Sequence, residues 1–366
     1  MRILHVIPFL WSGAGNVVTR LCESQTGANT VGMVTSGRSK GFTDWREYRS
    51  RLTNAGVGQF HLDFFDRDPA VFWKNVERLS ILCENFQPDL VHCHSGVPAC
   101  AAAAIGVPFI ATLHSWGPGR PDWMNTMDLA GLRRAQRVLC GAMAYRRILV
   151  DGGVDASRVE YLPWGLDLKE IRKQETESRA SAPRFQVGFL GRIEPRKGQL
   201  QLAAAFDKFH KRYPESNLEL VGPAADPDYA KELRTFIETS HLNDSVKLRG
   251  RVSHPYERVR NWNLFTSLSS DEGQGIAILE AMALGVPVMG RRVAGVEDYL
   301  HDRKTGLAVN STAPGEIAEQ IEWAMHHQSE LARFALRAKH MVDAEYNWDS
   351  TVKKMTEVYE TVTRTH

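Results

Sequence analysis

Two glutamates accompany a short apolar segment, residues 276–284, whose composition is typical of a buried helix. Glu280 lies inside this segment, and Glu272 lies in the glycine-containing loop that precedes it. A buried carboxylate needs polar partners, because an unpaired charge away from water is costly. Carboxylates accept hydrogen bonds from hydroxyl groups, and a helix N-terminus attracts anions. The segment therefore predicts a cleft for a ligand with many hydroxyl groups and a negatively charged part.

Two cations occur in the sequence Gly-Arg-Ile-Glu-Pro-Arg-Lys-Gly, which begins at residue 191 directly after a predicted strand. Arg192 comes first, and Lys197 lies just before a helix that we expect to begin near Gly198. A guanidinium fork, an ammonium group and unpaired backbone N–H groups together suit a diphosphate. A solvent-exposed basic loop is the simpler alternative. The glycines at both ends and the position after a strand favour phosphate binding.

Three histidines lie on or at the end of predicted strands. His114 ends the predicted strand 106–114, where it is either a structural residue or a site residue. His92 and His94 are two residues apart on another strand, so both side chains point to the same face. A metal-binding pair is one interpretation, but the sequence shows no third ligand. Packing or hydrogen bonding is the favoured interpretation of this pair.

Predicted strands and helices alternate through most of the 366 residues, a pattern typical of parallel sheets with helices on both faces. The alternation stops at residues 167–183, a charged and polar stretch that we interpret as a linker between two domains. Ligands bind at the carboxyl ends of parallel strands, so we expect the site in the cleft between two doubly wound domains. The predicted strands are residues 3–7, 31–35, 88–94, 106–114, 137–140, 159–162, 185–190, 218–221, 246–248, 264–268, 286–289 and 307–309.

The composition is that of an ordinary globular protein, and a formal net charge of +2 indicates no nucleic-acid partner. The five cysteines show no CxxC spacing, which predicts reduced thiols and a cytoplasmic location. No run approaches the roughly 20 apolar residues of a membrane span, and the first apolar run is short for a signal peptide. A basic region is interpreted first as a solvated face; the alternative is a contact for anionic lipid at the inner membrane surface or for a phosphorylated acceptor. It contains Arg133, Arg134, Arg137, Arg146 and Arg147.

The pattern Gly13-Ala14-Gly15 is a weak signal for a dinucleotide-binding turn. Five residues separate it from the preceding strand, and the third glycine of that fingerprint is missing. Arg38, after the second predicted strand, would suit a 2′-phosphate. An NADP-dependent oxidoreductase is therefore a minor alternative.

Taken together, the motifs resemble the retaining glycosyltransferases of family 4, which have the GT-B fold of two Rossmann-like domains facing across a cleft. Residues 272–280 are similar to the EX7E motif of that family, and residues 191–198 to its GR…KG loop. Weaker matches are residues 88–94, 112–114, 165–167 and 305–307 and the closing helix at Trp348. The resemblance implies an N-terminal domain of residues 1–166, a nucleotide-sugar-binding domain of residues 167–345, and a final helix, 346–366, that crosses back to the first domain.

The resemblance also implies a role for each matched residue. Arg192 and Lys197 would bind the donor diphosphate, Glu280 the ribose, and Glu272 the donor sugar, while His114 would contact the sugar near the reacting carbon. These roles place Arg192, Lys197, Glu272 and His114 in the catalytic group. The implied donor-binding residues are Gly15, Gly191, Arg251, Val252, Gln274, Gly275, Ile276 and Glu280.

The implied reaction moves a hexose or N-acetylhexosamine, with retention, from a nucleoside-diphosphate sugar, UDP-linked in the commonest case, to a hydroxyl or amine. It needs no metal and no cofactor, and the acceptor is an unidentified sugar, lipid-linked sugar or small molecule. A nucleotide-sugar epimerase of the same fold and a non-catalytic sugar-nucleotide sensor are the alternatives.

The sequence departs from the family pattern in four places. Residues 13–16 replace a GGAE-like stretch. Gln274 replaces the usual phenylalanine, Trp164 replaces the asparagine before Gly165, and residues 294–298 replace a GG.PE-like stretch.

Overall fold

The computed structural model describes residues 1–10, 13–37, 44–66, 68–116, 122–173 and 184–364. Arg38 and the greater part of the expected linker, residues 174–183, lie outside the described residues. The chain divides into two compact units. The first consists of Met1–Trp164 with Asp349–His366, and the second of Gly165–Trp348.

The first unit is built on a seven-stranded parallel sheet with the order β3-β2-β1-β4-β5-β6-β7. Strands β2 and β3 are added on one side of β1, and β4 to β7 are added on its other side. The sequence analysis did not predict β3, a short edge strand without a clear apolar alternation. The strands are β1 (Arg2–Val6), β2 (Thr30–Thr35), β3 (Gly58–His61), β4 (Leu90–Cys93), β5 (Phe109–Leu113), β6 (Val138–Cys140) and β7 (Val159–Tyr161).

Helices connect these strands, and the last helix of the chain also belongs to this unit. Local sequence sets their ends. In the third helix the Asp68 carboxylate accepts a hydrogen bond from the backbone N–H of Ala70, and Gln87 ends the helix in a left-handed conformation. The helices are α1 (Gly13–Gln25), α2 (Asp44–Asn54), α3 (Pro69–Phe86), α4 (Gly96–Ile105), α5 (Asp122–Leu132), α6 (Met143–Asp151) and the C-terminal helix (Trp348–Thr363).

The second unit contains a six-stranded parallel sheet with the order β10-β9-β8-β11-β12-β13. Its strands are β8 (Gln186–Leu190), β9 (Asn217–Val221), β10 (Val246–Gly250), β11 (Leu264–Ser267), β12 (Val288–Arg291) and β13 (Leu307–Val309). Here too the order reverses beside the first strand, between β8 and β11. The predicted fold class, two Rossmann-like α/β sheets, is confirmed.

The second unit begins with a helix where the sequence analysis predicted a linker. Residues 168–173 form α7, and its Leu168 and Ile171 are buried in an apolar cluster with Trp262. The apolar face of this helix consists of only two residues, so the charged residues around them led to the prediction of a linker. The helices of the unit are α7 (Leu168–Lys173), α8 (Gln199–His210), α9 (Pro227–Thr239), α10 (Pro255–Val259), α11 (Ile276–Ala283), α12 (Pro314–His326) and α13 (Gln328–Glu345), and the C-terminal helix is α14.

Each sheet has a switch point, where the strand order reverses. The loops that follow the two strands beside this point run in opposite directions. Such a point leaves a crevice at the carboxyl ends of the strands. In the first unit it lies between β1 and β4, and in the second between β8 and β11. Both points are occupied by polar side chains, described next.

Candidate active site

A short, mostly buried ion pair of the second unit joins the loop after β8 to the loop after β11. Lys197 ends a short 3-10 turn, Pro195–Lys197, and its Nζ lies 2.6 Å from Oε1 of Glu272. These two residues are 75 positions apart in the chain and meet because β8 and β11 are neighbours. The sequence analysis selected both, and the structure brings them together.

Glu272 is enclosed by donors. Its side chain is 12% exposed and that of Lys197 is 15% exposed, so neither charge is well hydrated. The Ser269 hydroxyl also donates to Oε1 of Glu272, over 2.7 Å. Burial alone raises the pKa of Glu272, but Lys197 and the Ser269 hydroxyl outweigh it and hold that pKa below its ordinary value. Glu272 is therefore a carboxylate at neutral pH.

Arg192 is part of a second charged group in the same loop. Its Nη2 lies 3.1 Å from Oε1 of Glu194, which also lies 3.0 Å from Nη2 of Arg196. Arg196 donates to the backbone carbonyl of Asp271 over 2.8 Å and so ties the two loops together. Arg196 and Glu194 were not predicted as site residues, although both lie inside the predicted phosphate-binding motif, residues 191–198.

Glu280 lies in α11 and is half-buried. The hydroxyl of Tyr256, in α10, donates to Oε1 of Glu280 over 2.8 Å. Tyr256 carried no signal in the sequence, because only the fold brings α10 beside α11. The structure thus gives Glu280 the polar partner that its apolar helix requires.

The loop that leads into α11 is fixed by backbone contacts. Gly275 has a φ of 70°, in the left-handed region that favours glycine, and it directly precedes Ile276 at the start of the helix. The Tyr299 hydroxyl donates to the backbone carbonyl of Gln274 over 2.8 Å. Gln274 itself is buried, with 5% of its surface exposed. The position of Gln274 is therefore set by packing and not by a flexible loop.

Arg251 and Val252 follow β10, one strand beyond β9 on the edge of the sheet. The neighbouring Arg249 is held by Glu219, whose Oε1 lies 2.7 Å from Nε of Arg249 and 2.8 Å from Nη1 of Arg258. This ion-pair network was not predicted, and it fixes both ends of the loop that carries Arg251.

In the first unit, the switch point between β1 and β4 is filled by imidazole rings. His5 and His92 are register partners on these two strands. His5 Nδ1 lies 2.9 Å from Nε2 of His94, and Nδ1 of His94 lies 3.1 Å from Nε2 of His114. His5 Nε2 lies 2.8 Å from Oε1 of Gln25, at the end of α1. These four side chains form one continuous row, which we name the imidazole row.

His92 belongs to a branch beside this row. Its Nδ1 lies 2.6 Å from the Tyr359 hydroxyl on α14, and its Nε2 lies 2.7 Å from the Thr112 hydroxyl on β5. One ring nitrogen each of His5, His92 and His94 falls within 4.8 Å of the others, so the third ligand that the sequence lacked is His5. All six ring nitrogens of these histidines have hydrogen-bond partners. We therefore interpret the group as a hydrogen-bonded network and not as a metal centre.

Burial keeps the histidines neutral. It lowers the pKa of His5 and of His114 to about 4 in each case. Burial, together with the neighbouring rings, lowers the pKa of His92 and His94 well below the ordinary value. His114 is the half-buried end of the row, and its ring stacks on Trp164 with a centroid distance of 5.4 Å and an angle of 13°.

Gly15 lies in the first turn of α1, behind the loop that follows β1. A Cβ at this position would overlap the backbone of Leu10. The requirement for glycine is therefore explained by close packing of the loop on the helix, and it does not depend on a ligand.

Comparisons with known proteins agree with this architecture. Residues 11–170 match the model of Glycosyltransferase Family 4, and residues 170–341 match that of Glycosyl transferases group 1. A D-inositol 3-phosphate glycosyltransferase of Paenarthrobacter aurescens is 26% identical over 277 residues, 68% of this chain and 67% of that protein. A GDP-mannose-dependent phosphatidylinositol monomannoside mannosyltransferase of Mycobacterium tuberculosis is 27% identical over 215 residues, 55% of each chain.

Among solved structures, HepE of Anabaena in complex with UDP and glucose superposes with a TM-score of 0.80 at 19% identity, covering 99% of this chain and all of that one. The likeness extends through both units. The chain belongs to the retaining glycosyltransferases of family 4, a family of GT-B-fold enzymes that use nucleotide sugars. Within the described residues, no helix has both the length and the apolar character needed to cross a membrane.

Proposed function

We propose that this protein transfers a hexose or N-acetylhexosamine from a UDP-linked donor to a hydroxyl or amine acceptor, with retention of configuration. The observation that carries the proposal is the Lys197–Glu272 pair, which sits with Arg192 and Arg196 at the switch point of the second sheet. Cations for a diphosphate and a carboxylate for sugar hydroxyls are what such a donor requires.

Arg192 and Lys197 stabilise the departing diphosphate. The bond between the anomeric carbon and the diphosphate oxygen breaks, and the acceptor oxygen or nitrogen bonds to that carbon on the same face. The acceptor proton leaves with the diphosphate, the base that the cleavage generates. Negative charge grows on the leaving group, so cations already fixed by Glu272 and Glu194 lower the barrier without further rearrangement.

The carboxylates select hydroxyl groups. Glu272 is ionised, and each oxygen of a carboxylate can accept more than one hydrogen bond, so it accepts hydrogen bonds from donor-sugar hydroxyls. Glu280 accepts from the ribose hydroxyls, beside the hydroxyl of Tyr256. Backbone N–H groups of Gly191, Gly275 and Ile276 add donors where the two loops end.

We assign the remaining donor contacts to the other residues that the family resemblance implies. Arg251 and Val252 line the base, Gln274 contributes to the choice of sugar, and the backbone N–H of Gly15 contacts the donor phosphate or sugar. His114 accepts a hydrogen bond from the sugar. No metal takes part, because the arginine and lysine side chains supply the positive charge. The acceptor is a sugar, a lipid-linked sugar or a small molecule, which is compatible with a cytoplasmic protein that touches the inner membrane face.

The relatives differ in donor: one is named for GDP-mannose, and the Anabaena protein was solved with UDP and glucose. We therefore propose a thermal-shift panel of UDP-glucose, UDP-galactose, UDP-N-acetylglucosamine, GDP-mannose and ADP-glucose. A UDP-sugar should stabilise the protein most, and adding an acceptor mixture should then release UDP. Proton NMR of the product reports retention or inversion.

The panel has clear contrary outcomes. Conversion of the donor to its epimer without acceptor would identify an epimerase. Stabilisation by GDP-mannose and by no other sugar nucleotide of the panel would show that the donor is GDP-linked and not UDP-linked. Binding of NADP and of none of the nucleotide sugars would overturn the proposal.

A further inference from the structure

The imidazole row offers more than packing, because hydrogen bonds between neutral imidazoles have a direction. A neutral imidazole has one N–H donor and one bare nitrogen acceptor. In a continuous row, the group at one end therefore dictates the tautomer of every ring in the row.

The buried end of the row is an acceptor. Oε1 of Gln25 is a carbonyl oxygen, so Nε2 of His5 must carry the hydrogen that bridges the 2.8 Å between them. The Gln25 side chain is also hydrogen-bonded to the hydroxyl of Tyr359, whose pKa is raised by burial. The amide N–H of Gln25 therefore donates towards Tyr359, and its carbonyl faces His5.

The direction then passes from ring to ring. Nδ1 of His5 is bare and accepts from Nε2–H of His94 over 2.9 Å. Nδ1 of His94 is bare in turn and accepts from Nε2–H of His114 over 3.1 Å. The last ring in the row is thereby left with its bare nitrogen at Nδ1.

We propose that Gln25, His5 and His94 are positioning residues that lock His114 in the Nε2–H tautomer, so that its Nδ1 only accepts hydrogen bonds from a substrate hydroxyl. Trp164 fixes the plane of the same ring through its stacked face. The sequence has tryptophan where the family pattern has asparagine, so this stacking contact is a feature of the present chain. The ligand part of the proposal rests on the proposed function, whereas the tautomer is a property of the protein alone.

The tautomer is measured directly by two-bond 15N–1H correlation spectra of the 15N-labelled protein, with a His114→Gln variant for assignment. We expect a single Nε2–H form for His5, His94 and His114 at pH 7. An Nδ1–H form of His114 in the unchanged protein would overturn the proposal, whether or not any sugar nucleotide is turned over.

Two matched variants test the relay. His94→Gln interrupts the row, and His92→Gln removes an equally buried ring that lies on the Tyr359 branch. The His94 variant should give His114 mixed tautomers and about tenfold lower kcat, whereas the His92 variant should keep the single Nε2–H form. If both variants change the His114 tautomer equally, the imidazole row does not determine that tautomer. If the His94 variant does not fold, Gln25→Met interrupts the same row from its far end.

Deoxy and deoxyfluoro donor sugars test the direction of the last hydrogen bond. Fluorine accepts weakly and does not donate. The deoxy donor lacks the contacted hydroxyl, and the deoxyfluoro donor has fluorine in its place. If His114 only accepts, both donors should lower kcat/KM by the same factor, roughly tenfold. A fluoro donor that restores activity to the protein would assign the opposite tautomer.

Discussion

The two switch points of this protein are filled by opposite chemistry. In the second unit the polar groups are fully charged: Lys197 and Glu272 form a short pair, and two arginines share Glu194. In the first unit they are neutral imidazoles whose pKa values burial has lowered, as for His5 and His114. The side chains named here are ion-paired or hydrogen-bonded in both regions, so the difference lies in what each offers a ligand. The charged region stabilises negative charge on a ligand, and the neutral region offers hydrogen bonds of a fixed direction.

The largest expected effect is on turnover. Lys197→Ala should lower kcat by about 10²–10³-fold, because it removes a cation aimed at the departing diphosphate. His114→Gln should cost only about tenfold, since it removes one neutral hydrogen bond. Steady-state kinetics with the preferred UDP-sugar measures both.

Lys211→Ala is the matched control for Lys197, because Lys211 also pairs with a carboxylate, Asp207, over 2.7 Å, but is itself exposed and lies just after the end of α8. It should leave kcat unchanged. Equal losses in the Lys197 and His114 variants would remove the distinction between the two regions.

The second effect is on stability and separates structure from chemistry. Lys197→Ala leaves Glu272 charged and 12% exposed, which should lower the free energy of unfolding by about 3 kcal/mol. Adding Glu272→Gln removes that unpaired charge. The double variant should recover most of the stability, measured by urea unfolding, while its kcat stays as low as that of Lys197→Ala. Recovered turnover would contradict a catalytic role for the cation.

The third effect is a pH dependence confined to the neutral region. His5 titrates near 6.5 when unfolded, and its pKa falls to about 4 in the folded protein, so between these values the unfolded chain binds the proton that the native state does not. Stability is therefore lost as the pH falls. His5 alone should cost about 2 kcal/mol between pH 7 and pH 5.

Urea unfolding at the two pH values measures this loss, and a His5→Gln variant should reduce it. The charged pair should stay intact over the same range, because the pKa of Glu272 lies below its ordinary value. A pH dependence unchanged in the His5 variant would show that the buried ring does not titrate as described.

The smallest expected effect concerns donor affinity. Tyr256→Phe removes the hydroxyl that donates to Glu280 and should raise the KM for the donor about fivefold with little change in kcat. Tyr213→Phe is a matched control, since the Tyr213 hydroxyl donates to Glu322 over 2.6 Å elsewhere in the same unit. A fall in kcat alone would place Tyr256 at the reacting centre instead.

Much of the charged region could be predicted from the sequence. Arg192, Lys197, Glu272 and Glu280 follow strands or enter a helix, and local glycines and apolar neighbours mark those positions. The alternation of strands and helices likewise indicated two parallel sheets, and the structure has them. The predicted linker was wrong at residues 168–173, where two buried apolar side chains form one face of a helix inside a charged stretch.

The neutral region could not be predicted in the same way. His5 looked like part of an ordinary buried strand, and only the register of β1 against β4 sets it beside His92. Tyr359 lies 267 residues from His92 and reaches it because α14 belongs to the first unit.

Local patterns in the sequence determined which charged residues follow strands or precede helices, and which segments fold as strands or helices, because these depend on near neighbours. Tertiary structure alone decided which polar groups meet, how deeply they are buried and which nitrogen of each ring holds a proton. These depend on strand register and helix docking, which join residues far apart in the chain.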